Sequence, residues 1–181
     1  MVMKMMKGTT ILCVRRNNRV AMAGDGQVTL GDQVIKEGAR KVRRLYDGKI
    51  LTGFAGGTAD AMTLLERFEK RLSEHSGNLL RAASELVKDW RMDRALRRLE
   101  AMMLVADLNT TLLLSGSGDI LEPEGNACSI GSGAGYALAA ARAFLESPEG
   151  SADDIASRSL SIASKICIYT NDSITLEVLE G

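Results

Sequence analysis

The chain has 181 residues, of which 45% are apolar and 25% charged, and its 23 lysines and arginines balance its 23 aspartates and glutamates. A net charge of zero argues against a general nucleic-acid-binding protein, and no apolar stretch approaches the roughly 20 residues that cross a membrane. Three scattered cysteines, with no Cys-x-x-Cys pair, favour a reducing compartment, here the cytoplasm.

Two strand pairs open the predicted fold. Apolar and β-branched residues predict strands at 10–16 and 20–23, joined by a turn at Asn17-Asn18. A second pair, 41–45 and 49–54, turns at Asp47-Gly48, and Asp-Gly is a strong hairpin signal.

Helical periodicity follows the second strand pair. Thr58 is the predicted N-cap of a first helix that stops at Gly77, and a second helix starts at Asn78 and continues through Leu96 and Leu99. The remaining predictions are strands 102–106, 110–114, 127–130 and 173–179 and helices 135–146 and 152–168. Strand groups that alternate with helix pairs predict an α+β sandwich in which helices cover sheets.

The catalytic options are limited by the single histidine. His75 falls at the polar end of the first predicted helix, where we interpret it as a solvated residue. A Ser-His-Asp or Cys-His arrangement and a histidine-rich metal site are therefore excluded. Any acid–base chemistry must come from a lysine, from carboxylates or from an α-amine.

Gly8 and Thr9 form the boundary between a short leader, residues 1–8, and the ordered domain, residues 9–181. If the chain is cut after Gly8, Thr9 gains a free α-amine beside its own hydroxyl, and that amine can serve as the base. Its pKa of about 7.7–8.0 suits proton transfer near neutral pH. A strand that merely begins with threonine is the simpler interpretation when Gly-Thr-Thr is considered alone.

A basic run, residues 40–44, supplies a candidate lysine. Strand alternation places Lys41 on one face and Arg40 and Arg44 on the other, so Lys41 can point into a cleft. A buried lysine needs a partner, and Asp25, in the Gly-Asp-Gly turn after the second strand, is the candidate. The alternative interpretation is a solvated edge or a weak phosphate patch.

Two glycine-rich loops link a strand to a helix, residues 53–57 and the loop from Gly131 to Gly135. Either could approach a phosphate, although neither carries the Gly-Lys-Ser/Thr of a P-loop. Glycine there also allows a peptide backbone or an oxyanion to come close to main-chain N–H groups.

Seven motifs together resemble the HslV (ClpQ) family, the proteasome-β-like peptidases of bacterial HslUV ATP-dependent proteases. They cover nearly the whole chain from Gly8 onward and are, in order, residues 8–11, 23–31, 40–45, 53–60, 88–91, 130–133 and 166–171. The resemblance implies an N-terminal-nucleophile hydrolase with a four-layer αββα sandwich, acting as a threonine endopeptidase.

The resemblance also implies roles for single residues. Thr9 matches the nucleophile, Asp25 and Lys41 the charged pair beside it, and Ser132 an active-site serine, while the Gly53 N–H matches the oxyanion donor. A sodium ion would be bound by the backbone carbonyls at Ser164, Cys167 and Thr170.

The partners implied are an HslU-type hexameric AAA+ ATPase, which would bind the nucleotide, and a homo-oligomer of two stacked hexameric rings that degrades unfolded polypeptides in the cytoplasm. Two alternatives stay open. One is a nucleotide-binding module that uses the loop from Gly131 to Gly135. The other is an inactive ring subunit, against which the retention of Thr9, Lys41 and Asp25 argues.

Overall fold

The computed structural model describes residues 6–7, 9–94, 96 and 101–181, and the side chains of residues 6, 7, 58 and 59 are outside that description. Most of the predicted leader, including Gly8, and also Leu99 lie outside the described residues. The strands are β1 (Met6–Lys7), β2 (Thr10–Arg16), β3 (Arg19–Gly24), β4 (Val28–Leu30), β5 (Gln33–Lys36), β6 (Val42–Leu45), β7 (Ile50–Ala55), β8 (Met102–Ala106), β9 (Thr111–Ser115), β10 (Ile120–Leu121), β11 (Ala127–Gly131) and β12 (Thr175–Glu180). The helices are α1 (Thr58–Glu74), α2 (Leu79–Met92), α3 (Ala134–Glu146) and α4 (Ala152–Ser164).

The strands form two large antiparallel sheets and one small one. One large sheet has the order β10-β9-β8-β7-β6, and the other has the order β11-β2-β3-β12. A third sheet, β1-β4-β5, pairs the end of the leader with β4, where Lys7 lies opposite Thr29.

Three apolar clusters separate four layers. Phe68 and Trp90 pack α1 and α2 onto the five-stranded sheet. Ile11 and Met22 lie between the two sheets, and Leu12 packs against α3 and α4. Successive residues of β2 therefore face opposite sides of their sheet, as strand geometry requires. The predicted αββα sandwich is confirmed.

Both predicted hairpin turns are present. Asn17 and Asn18 have φ of 50° and 59°, and two consecutive positive φ values define the type I′ turn that matches strand twist. The second turn places Tyr46, Asp47 and Gly48 at φ of 48°, 53° and 78°.

The start of α1 and the end of α2 differ from the prediction. Gly57, not Thr58, is the N-cap of α1, because the Gly57 carbonyl accepts the Ala61 N–H at 2.9 Å. Helix α2 is capped by Asn78 as predicted but ends at Met92, short of Leu96. Asp93 is the C-cap, and its side-chain Oδ1 accepts the Leu96 N–H at 3.4 Å. This local bond competes with continuation of the helix.

The last helix and the small sheet also differ from the prediction. Helix α4 ends at Ser164, not at residue 168, because the N–H groups of Ile166 and Cys167 both turn back to the Ala163 carbonyl. The small sheet was not predicted, since all four residues of β5 are exposed and the strand carries no apolar alternation. No helix in the described residues is long and apolar enough to cross a membrane.

Candidate active site

Thr9 is buried immediately before β2, and the end of β11 holds its main chain. The Ser132 N–H donates to the Thr9 carbonyl at 2.8 Å. Gly131 has φ of +101°, and a Cβ there would collide with the same carbonyl oxygen. Only glycine therefore fits at this position beside the predicted nucleophile.

Asp25 is fully buried and is bonded to the residue next to Thr9. Its Oδ1 accepts the Thr10 N–H at 2.7 Å, and its own N–H donates to the Thr10 carbonyl at 3.1 Å. Its Oδ2 accepts the N–H groups of Gln27 at 3.0 Å and Asn171 at 3.4 Å. Three backbone donors thus solvate a carboxylate that water does not reach.

The Gly-Asp-Gly turn leaves no room for larger side chains. A Cβ at Gly24 would lie 2.8 Å from Ile11 Cδ1 and 2.9 Å from Val42 Cγ2. A Cβ at Gly26 would collide with the Glu37 carbonyl oxygen. The two glycines let the turn pack tightly enough to bury Asp25.

Lys41 lies just before β6 and points into the same site. Its Nζ is 2.8 Å from Asp25 Oδ1 and 2.5 Å from the Gln27 carbonyl oxygen, and its side chain is 9% exposed. Burial lowers the pKa of Lys41, and the neighbouring Asp25 carboxylate opposes that shift. A cation with a lowered pKa is thus held beside Asp25, the carboxylate that also bonds Thr10 at the start of β2.

Arg40 and Arg44 lie on the opposite face from Lys41, in agreement with the predicted alternation. Arg40 and Arg44 form ion pairs with Glu177 on β12, at 2.8 and 2.6 Å. The side chains of Arg40 and Arg44 are 67% and 41% exposed, so these pairs form a solvated edge between the two sheets.

Two N–H groups of the loop from Gly131 to Gly135 form hydrogen bonds with Thr9 and Thr10. Ser132 bonds Thr9 as described, and the Gly133 N–H donates to Thr10 Oγ1 at 3.0 Å. A phosphate cradle would need these donors for its ligand. The geometry therefore disfavours the alternative of a nucleotide-binding loop. Ser132 itself is exposed.

Gly53 lies in the middle of β7, opposite Val42 on one side and Leu104 on the other. A Cβ at this position would lie 2.6 Å from Ile11 Cγ2, so the two sheets can approach only because the residue is glycine. Its role as an oxyanion donor stays a prediction.

The residues predicted to bind sodium lie at the end of α4 and in the turn that follows. Ser164 is the last helical residue, and Cys167 and Thr170 are buried. The Cys167 carbonyl accepts the Thr170 N–H at 3.1 Å, and its second lone pair is still available to a cation. The described residues contain no cluster of three or more His, Cys, Asp or Glu side chains suited to a metal. Carbonyl oxygens are the donors that fit here, and the sodium site stays a prediction.

Three residues of the site were not assigned a role from the sequence: Thr10, Gln27 and Asn171. Thr10 Oγ1 lies 2.7 Å from Thr170 Oγ1, and Asn171 Oδ1 accepts the Gly26 N–H at 2.9 Å. Both contacts join segments that are more than 140 positions apart, since the separations are 160 and 145 residues. Only membership of the motifs 8–11, 23–31 and 166–171 could have pointed to them.

His75 is not the fully solvated residue that the sequence suggested. It is half-buried as the C-cap of α1, and its Nε2 is buried without a hydrogen-bond partner in the described residues. It belongs to the α1–α2 side of the fold, whereas Thr9 precedes a strand of the other sheet. A histidine base for Thr9 is thus absent from the described contacts of the site.

Comparison with known proteins supports the same assignment. The sequence matches the family described as Proteasome subunit over residues 5–179. The chain belongs to the proteasome subunit family. The crystal structure of eukaryotic HslV from Trypanosoma brucei is 45% identical, with a TM-score of 0.90, over 95% of this chain and 99% of that chain. The chain is accordingly an HslV-type threonine peptidase of the N-terminal-nucleophile class.

More distant structures share the fold of this proteasome-family chain. Thiobacillus denitrificans BPH in complex with epoxomicin is 18% identical, with a TM-score of 0.74, over 94% of this chain and 98% of that chain. A second structure of Thiobacillus denitrificans BPH is also 18% identical, with a TM-score of 0.71, over 94% and 97% of the two chains. At this identity the likeness extends to the fold alone.

Proposed function

We propose that this HslV-type peptidase is the proteolytic subunit of a two-component ATP-dependent protease and that Thr9 is its nucleophile. The observation that carries the proposal is the buried Lys41–Asp25 pair, which is hydrogen-bonded to Thr10 directly after Thr9. The proposal is supported by a positive charge 2.8 Å from a fully buried carboxylate that itself accepts the N–H of Thr10, the residue after Thr9.

In the proposed reaction, Thr9 Oγ attacks the scissile carbonyl and the Thr9 α-amine takes its proton. Like charge from the Lys41 ammonium keeps the amine neutral and ready to accept that proton. The Gly53 N–H holds the oxyanion of the tetrahedral intermediate, with Ser132 beside it. Collapse passes the proton to the leaving amine and leaves an ester on Thr9. Water, deprotonated by the same amine, then attacks the ester; as the bond to Thr9 Oγ breaks, the amine returns that proton to Oγ and the acid product is released.

The α-amine exists only after the leader, residues 1–8, is removed, so we propose that Thr9 also cuts the bond after Gly8. The variant Thr9→Ala should keep the leader and show no cleavage of small peptides, as measured by intact mass and by a fluorogenic assay. Ser129→Ala, which removes an interior hydroxyl bonded to the Ile11 carbonyl, is a matched control that should be processed. Leader loss in purified Thr9→Ala would contradict self-processing, and retained activity would contradict the nucleophile.

We further propose that a sodium ion binds the carbonyl oxygens of Ser164, Cys167 and Thr170. The ion would supply a fixed positive charge beside the carbonyl groups at the C-terminal end of α4, where the helix dipole favours positive charge. The chain's own contribution is to hold the turn, through the Thr170 N–H to the Cys167 carbonyl and Thr170 Oγ1 to Thr10 Oγ1.

The proposed assembly is two stacked hexameric rings that enclose the Thr9 sites, capped by an HslU-type hexameric AAA+ ATPase in the cytoplasm. The similarity to an HslV structure supports the rings. The absence of a P-loop sequence and the use of the Ser132 and Gly133 N–H groups within the chain itself support a separate ATPase. The three free, buried thiols suit a reducing compartment. Closed rings follow from head-to-tail contacts between identical subunits.

The test of this function combines assembly and activity. Light scattering should give an oligomer of ring-pair size, and a threonine-directed electrophile should block slow cleavage of small peptides. Folded proteins should be degraded only when an HslU-type ATPase and ATP are added. A monomer that degrades folded protein without ATP would contradict the proposal, and ATP binding by the isolated chain would favour a nucleotide-binding module.

A further inference from the structure

We propose that Asn171 and Gln27 are positioning residues for Lys41. Together they fasten the turn that follows β3, residues 24–27, to the segment that follows α4, residues 168–171. We call these two segments, joined by the two amide side chains, the clamp. The inference rests on the proposed function, because it assigns residues that hold the catalytic lysine in place.

Asn171 bridges three segments through its side-chain amide. Its Oδ1 accepts the Gly26 N–H at 2.9 Å and the Ser173 N–H at 3.2 Å. Its Nδ2 donates to the Glu37 carbonyl at 2.8 Å. Its main-chain N–H reaches Asp25 Oδ2 at 3.4 Å, so Asn171 bonds the turn at both Asp25 and Gly26.

Gln27 makes the reciprocal connection from the turn side and is only 6% exposed. Its Nε2 donates to the Ile168 carbonyl at 2.8 Å and to Thr29 Oγ1 at 3.0 Å. Its own carbonyl oxygen accepts Lys41 Nζ at 2.5 Å. The same residue therefore holds the 168–171 segment with its side chain and the lysine with its main chain.

Two oxygens that bind Lys41 Nζ, Asp25 Oδ1 and the Gln27 carbonyl, belong to this turn. The turn packs closely against its neighbours, but Gly24 and Gly26 contribute no side-chain contacts of their own. Hydrogen bonds therefore help to fix its position, and the clamp supplies those to the Gly26 N–H and from Gln27 Nε2. A displacement of about 1 Å in a catalytic group costs on the order of a hundredfold in rate.

The experiment uses the processed, assembled enzyme and a small fluorogenic peptide. The variants are Asn171→Ala and Gln27→Met, which keeps the side-chain volume but removes the bond to Ile168. Asn109→Ala, an exposed loop amide, is the matched control. We expect kcat to fall by about tenfold to a hundredfold in both clamp variants while KM stays nearly constant. The alkaline limb of the kcat profile should move to lower pH, because Lys41 loses acceptors that favour its charged form.

Three outcomes of this experiment would overturn the inference, and they differ in what else they overturn. A wild-type enzyme without threonine-dependent cleavage would overturn the proposed function and this inference with it. An active wild type whose clamp variants keep the kcat and the alkaline limb of Asn109→Ala would overturn this inference alone. Loss of assembly in both variants would also overturn it, since the clamp would then hold the fold rather than the lysine.

Discussion

The substitution Lys41→Ala separates the structural role of the buried pair from its proposed catalytic role. It leaves the Asp25 carboxylate, which is fully buried, without its ammonium partner. Removing one partner of a buried pair costs about 3–5 kcal/mol. We expect the lower figure, about 3 kcal/mol, because the N–H groups of Thr10, Gln27 and Asn171 still solvate the carboxylate. For a domain of this size that free energy lowers the Tm by about 6–12 °C.

Lys41→Ala should also lower turnover strongly, because in the proposed reaction the Lys41 ammonium keeps the Thr9 α-amine neutral and able to act as the base. General acid–base catalysis contributes about 10²–10⁴ in rate, which corresponds to about 2.7–5.4 kcal/mol of barrier, a cost similar to or larger than the cost in folding. The assay is peptide cleavage at 25 °C, well below the melting transition, so that loss of folded protein cannot account for the fall in kcat. Light scattering should show an unchanged oligomer.

Arg44→Ala is the matched control from the same basic run. Arg44 bonds Glu177 and the Val178 carbonyl at an edge where its side chain is 41% exposed. Exposed ion pairs contribute about 0–1 kcal/mol, so this variant should stay close to wild type in both Tm and kcat. If Arg44→Ala proved as damaging to kcat as Lys41→Ala, the assignment of Lys41 as the inward, catalytic lysine would be wrong.

Three further predictions follow from burial and close packing. Burial lowers the pKa of Lys41 from its ordinary 10.5, so a pH–rate profile should show kcat falling as pH rises through a midpoint below 10.5. The free energy of unfolding should rise with pH between that midpoint and 10.5, because the unfolded chain keeps the lysine proton to a higher pH than the folded chain. Burial raises the pKa of Cys128 to about 11 from 9.0, so iodoacetamide should label it roughly 100-fold more slowly than a thiol in the unfolded chain, by mass spectrometry. Gly133→Ala should cost about 1–3 kcal/mol in chemical denaturation, since its Cβ would lie 2.6 Å from Thr170 Oγ1, whereas Gly135→Ala, with nothing within 4 Å, should not.

The parts of the fold that the sequence predicts are those whose pattern is local. Strand β2 is an apolar run that ends at the Asn17-Asn18 turn, and α2 begins at its Asn78 cap, so neighbouring residues decide both. The Asp25–Lys41 pair could also be predicted, because the turn limits where the Asp25 side chain points and strand alternation limits where the Lys41 side chain points.

The parts that it does not predict depend on distant residues. The exposed strand β5 has no apolar pattern and exists because β4 offers it a partner. Helix α2 ends where the Asp93 side chain meets Arg67 of the preceding helix, at 2.8 Å. No local sequence pattern indicates a role for Gln27 or Asn171, since the side-chain amide of each forms a hydrogen bond with a segment more than 140 residues away.

The long range of these contacts has a consequence for a protease. Both main-chain groups of Thr10 bond Asp25, its hydroxyl bonds Gly133 and Thr170, and the Thr9 carbonyl bonds Ser132. Thr9, the proposed nucleophile, is therefore fixed by the turn at 24–27, the loop at 131–133 and the segment at 168–171, which meet only when β2, β3 and β11 are paired and α3 and α4 are packed on them. A threonine in an unfolded or partly folded chain has none of these partners and no buried lysine beside it. If Thr9 is the nucleophile, as proposed, the site becomes competent only in the folded domain, and newly made chains should not cleave one another before they are ready to assemble.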